Sequence, residues 1–72
     1  MDRYQPIDCG FHDQILEKAT LRVPTQITYL DDEADIQTVK DVIEDVYTRE
    51  GAEYMRLRSG LTIRLDKIRD LG

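Results

Sequence analysis

Cysteine and histidine, the side chains most apt for nucleophilic catalysis, occur once each in this chain of 72 residues. The nearest thing to a catalytic pair is Cys9 and His12, three positions apart. A thiolate activated by a neighbouring imidazole is a nucleophile, so that spacing is conceivable for thiol chemistry. The plainer alternative is a small core cysteine at a helix start. Adjacent carboxylates occur at Asp31–Asp32 and at Glu44–Asp45. General acid–base work needs an environment that tunes one carboxyl away from its neighbour, and adjacent residues in a polar turn are normally solvated. Asp31 to Asp35 alternates as calcium ligands do, but it lacks the central glycine and the terminal ligand. One cysteine and one histidine are too few for a structural zinc site. The four glycines are scattered and build no phosphate-cradling loop. The chain therefore reads as no enzyme, with no cofactor and no metal.

Binding is the better expectation, and charge says to what. The net charge is −5. A phosphate backbone prefers the opposite sign, whereas a basic protein partner is electrostatically easy. The charge is uneven. Asp31, Asp32, Glu33, Asp35, Asp41, Glu44 and Asp45 are offset by Lys40 alone, while Arg56, Arg58, Arg64, Lys67 and Arg69 outnumber Asp66 and Asp70. In the basic half, Tyr54, Arg56 and Arg64, with Arg58 beside them, could form a stacking and phosphate-binding platform for RNA. The alternative there is an ordinary solvated face with an aromatic–cation pair.

The elements that must position these residues follow from periodicity. Pro6 pushes Gln5 into an extended conformation, so Met1 to Ile7 reads as an arm, pinned on the body by Tyr4 and Ile7. Asp8 suits an N-cap. Phe11, Ile15 and Ala19 recur at helical spacing with Leu16 beside them, giving one apolar stripe opposite His12, Asp13, Glu17 and Lys18. Asp13 and Glu17, four apart, repel, and Gly10 weakens the first turn, so this helix depends on docking. Val23–Leu30 alternates as a strand, with Pro24 at its beginning. An acidic turn follows, then a second strand over Ile36–Ile43. Its imperfect alternation predicts a bulge or bend near Asp41. Glu44 to Gly51 reads as a connector with a helical turn. Ala52–Leu57 and Leu61–Leu65 read as strands. A three-residue Arg58–Ser59–Gly60 loop sets Leu57 against Leu61 and Met55 against Ile63, and leaves Tyr54 opposite Arg64 on the outer face. A tight turn at Leu65–Ile68 leads into a last strand through Leu71.

The chain is thus expected to be a single domain, with residues 1–20 as arm and helix and 21–72 as β-barrel. The fold class is mainly β with one N-terminal helix, a small Sm-like or SH3-like barrel of about five strands. No apolar run is long enough to span a bilayer and no export leader is seen, so the expected location is cytoplasmic.

Several of these residues also carry a resemblance. Tyr4-Gln5-Pro6-Ile7-x-Cys9, His12-Asp13, Ile15-Leu16-Glu17 and Ala19 open the chain; Asp45-Val46, Arg49, Glu53-Tyr54 and Ile63-Arg64-Leu65-Asp66-Lys67-Ile68 follow. Together they resemble the Rho-binding antiterminator (Rof-like) proteins of bacteria. That resemblance implies an Sm-like barrel with an N-terminal helix, binding to the N-terminal RNA-binding domain of the terminator Rho, and inhibition of termination without any chemistry. It implies partner contacts at Asp13 and, more loosely, at His12, Glu17 and Asp8. Gly10 stands where many members have an aspartate, and His12 where they have an aromatic. A partner other than Rho, met by the same acidic surface, is the alternative within that reading.

Overall fold

A computed structural model describes residues 3–72 of the chain. The helix begins where the N-cap predicts. Asp8 Oδ2 accepts from the amides of Gly10 at 3.1 Å and Phe11 at 3.3 Å, donors that have no partner inside the helix. Helix α1 spans Cys9–Leu21. It ends at Arg22, which takes the left-handed conformation and donates its amide to the Lys18 carbonyl. Pro24 then keeps the chain from resuming the helix. One face docks: Ile15 is fully buried, and Phe11 and Ala19 pack against the same core. Leu16 does not join that stripe as its position suggests. It lies about 100° round the helix from Ile15, which leaves it 41% exposed.

The strands are β1 (Thr25–Leu30), β2 (Ile36–Asp41), β3 (Ile43–Arg49), β4 (Ala52–Leu57), β5 (Thr62–Arg64) and β6 (Ile68–Leu71), with a 3₁₀ turn at Leu65–Lys67. There are six strands among the described residues rather than five, because the stretch expected as a connector is β3. Its Ile43, Val46, Tyr47 and Thr48 are β-branched or aromatic and suit a half-buried pleat. Only Glu50 and Gly51 make the connection to β4, with φ of 52° and 81°. Positive φ at both central residues marks a two-residue hairpin turn whose twist matches that of its strands.

The strands form two antiparallel three-stranded sheets, ordered β2-β1-β6 and β3-β4-β5. β2 runs into β3 through Val42, so the bend lies where the alternation fails. Asp41 pins it: Oδ1 accepts from the Val42 amide at 2.7 Å and Oδ2 from the Ser59 amide at 3.0 Å. Those two amides hold the Asp41 carboxyl below its ordinary range. The β4–β5 hairpin has the three-residue loop and the register expected. Leu57 N donates to Leu61 O at 2.8 Å, Met55 lies opposite Ile63, and Gly60 supplies φ of 99°.

The domain is mainly β with one helix, as expected, but the sheets stay open instead of closing into a barrel. β1 already has a neighbour on each edge, and β5 has only three residues, paired to β4, before the 3₁₀ turn carries the chain to the other sheet. Between the sheets and α1 sits one core of Ile15, Ile27, Ile43, Met55, Leu57, Ile63, Leu65 and Ile68.

Candidate functional site

The arm and the start of α1 are fastened to the body by two carboxylates. Glu53, on β4, shares the inward row of Met55 and Leu57. Its Oε1 accepts from the Tyr4 hydroxyl at 3.2 Å, and its Oε2 lies 2.9 Å from His12 Nε2. One side chain therefore holds the arm with one oxygen and the helix with the other. Asp66, in the 3₁₀ turn, accepts from the Gln5 amide at 2.9 Å. It also receives Arg64 bidentately, Nε at 2.6 Å and Nη2 at 3.0 Å. The Arg64 guanidinium carbon lies 5.9 Å from the centre of the Tyr4 ring, in a cation–π contact. Burial, and then the bond to Glu53, push the Tyr4 phenol up to about 12. Ile7 packs on the core, so the arm is pinned at Tyr4 and Ile7 as the sequence predicts. Sequence reasoning did not single out Glu53 or Asp66 as organising residues. The usable signal was Glu53 itself, an acid in a row of alternating core residues.

With the helix fixed in this way, Asp13 and Glu17 stand exposed on it, four positions apart and beside exposed Leu16. Asp8 is at the same end of the helix but is committed to capping. His12 is half-buried and turned to Glu53. Of the four candidate partner-binding residues, Asp13 and Glu17 thus offer a solvated acidic face, and Asp8 and His12 hold that face in place. Cys9 is exposed and not the core residue expected at a helix start, and the nearby imidazole nitrogen is engaged by Glu53.

The second candidate surface is the outer face of β3–β5. Tyr54 lies opposite Arg64, and Arg56 opposite Thr62, in the register read from the sequence. Tyr47 stacks on Tyr54, with ring centres 5.6 Å apart and planes 21° apart. The cation beside Tyr54 on this face is already engaged. Arg64 is 19% exposed and clasped by Asp66, and Arg56 lies opposite Asp45 in the β3–β4 ladder. Beside Tyr54 an open cleft of about 400 Å³ is lined by Tyr29, Asp31, Asp32, Arg64 and Lys67 among others. Its carboxylates oppose a phosphate.

The acidic turn is self-contained. Asp31 Oδ1 accepts from the amides of Glu33 at 2.9 Å and Asp35 at 3.0 Å, and Oδ2 from Gln37 Nε2 at 3.0 Å. The Asp35 amide, then the Gln37 side chain, hold this carboxyl below its ordinary range. Among the described residues no three His, Cys, Asp or Glu side chains gather into a metal-binding group, and no helix is long and apolar enough to cross a membrane. The sequence matches no model of a known protein family, and no curated protein matches it.

Proposed function

We propose that this chain is a non-enzymatic, cytoplasmic regulator of transcription termination. It binds the N-terminal RNA-binding domain of Rho and keeps RNA from that domain's primary site, as the resemblance to the Rho-binding antiterminators implies. The observation that carries the reading is the solvated Asp13–Glu17 face of α1, held in place by the His12–Glu53 contact and the Asp8 cap. A surface that binds RNA phosphates is basic, and a fixed acidic face competes for it. Exposed Leu16 adds an apolar contact beside the two acids. The run of β2 into β3, and of β5 into β6 through a 3₁₀ turn, supports an Sm-like or SH3-like ancestry for the open sheets.

The test is a binding assay of purified Rho with the chain and with its Asp13→Lys, Glu17→Lys double variant. Charge reversal is expected to weaken the complex at least about tenfold, which is about 1.4 kcal/mol, while the variant stays folded. Unchanged affinity in the folded variant would count against this surface. The Tyr47–Tyr54 stack favours a second reading, single-stranded RNA on Tyr54, Arg56 and Arg64. That reading requires salt-sensitive RNA binding, and no binding at low salt removes it.

A further inference from the structure

β2 is an edge strand of the first sheet, and Ile36, Gln37, Thr38 and Lys40 on it are exposed, Ile36 by 60%. β3, the corresponding edge of the second sheet, is packed by α1. The direction of each peptide group on β2 follows from its hairpin with β1. Asp31 N donates to Asp35 O at 2.9 Å, and the same register sets Tyr29 opposite Gln37, Ile27 opposite Val39 and Thr25 opposite Asp41. In an antiparallel ladder the bonded pairs alternate, so Gln37, Val39 and Asp41 turn their peptide groups to β1. Ile36, Thr38 and Lys40 turn theirs outward, away from the sheet. Such an edge is a template for another strand.

We propose that a second copy of this chain pairs antiparallel along β2, about a two-fold axis at Thr38. Only residues with outward peptide groups bond across the interface. That register sets Thr38 against Thr38 of the second copy and Ile36 against Lys40 of the second copy, and these pairs exchange about six hydrogen bonds. The occupant is argued from charge and shape. Lys40 is the one base between Asp31 and Asp45. In this register its ammonium reaches the other copy's acidic turn, Asp31 to Asp35, while its methylene stem covers the exposed Ile36. Because the contact is isologous, both copies gain the same two features. One like-charge pair opposes it: Asp41 faces Asp35 of the second copy. The Asp41 carboxylate is turned back onto the amides of Val42 and Ser59, which moderates that cost. A single strand edge is far smaller than a standard interface, so the dimer is weak.

The experiment is sedimentation equilibrium of the full chain from about 10 μM to about 1 mM, the range for weak association, with two variants. In Thr38→Pro the lost N–H points away from β1, so the monomer's ladder stays intact while the central bond of the pairing goes. Lys40→Glu reverses the charge that meets the acidic turn. Wild type is expected to move from monomer to dimer over this range, and both variants to stay monomeric with an unchanged far-UV spectrum. If Thr38→Pro loses that spectrum, Lys40→Glu alone decides. A wild type that stays monomeric throughout, or folded variants that dimerise as wild type does, would overturn the proposal.

Discussion

The helix face and the sheet face of this protein carry charge of opposite sign and spend it differently. On α1, Asp13 and Glu17 face solvent. On the outer face of β3–β5, Arg64 is clasped by Asp66 and Arg56 lies opposite Asp45. Arg64, the cation beside Tyr54, is therefore already engaged by an acid that the fold brings to it. The acidic helix keeps its charge, because its inward neighbours are held by Glu53 and by the cap. The comparison teaches that availability, more than composition, decides what a surface offers to a partner, and the more solvated charge here is that of Asp13 and Glu17.

The largest way to break the comparison is to undock the helix. Ile15 is fully buried in the shared core, and Ile15→Ala is expected to cost about 2–5 kcal/mol of stability. Thermal denaturation measures the loss, and Rho binding should weaken with it. Next, Asp66→Ala removes the acceptor for both Arg64 and the Gln5 amide. About 1–3 kcal/mol should be lost, read by chemical denaturation. If the matching of Arg64 is what silences the sheet face, this variant should also bind single-stranded RNA more tightly than wild type. Asp8→Ala deletes the N-cap and should cost about 1 kcal/mol. Loss of helical signal and earlier exchange of the Gly10 and Phe11 amides would report it.

The smallest effect concerns the arm. Tyr4 has an ordinary pKa of 10.0 and about 12 in the folded chain. Because the folded value is raised, this contribution to stability is complete below pH 10.0 and is lost as pH rises toward about 12. A late phase in the phenolate absorbance titration is expected, and it should vanish in Tyr4→Phe.

Much of the fold was legible where a residue type has one local use. Asp8 before an apolar helical stripe reads as a cap, and Gly60 after Arg58–Ser59 reads as a three-residue hairpin loop with a definite register. The break in alternation at Asp41 located the bend. The strand β3 was not legible, because its acids at Glu44 and Asp45 mimic a loop and Glu50 takes a positive φ that its side chain disfavours. The open sheets were hidden for a similar reason, since closure depends on how far β5 extends before the 3₁₀ turn. In the site, the sequence placed Asp13 and Glu17 on a polar face but could not show that His12 leaves it for Glu53. That contact spans 41 positions and has no local signature.

The central proposal is that the acidic face of α1 displaces RNA from Rho. The most direct measurement titrates the chain, and the Asp13→Lys, Glu17→Lys variant, into Rho loaded with labelled cytidine-rich RNA. The account predicts displacement by the wild type and at least about tenfold weaker displacement by the variant. RNA that stays bound at every concentration of a folded wild type would contradict it.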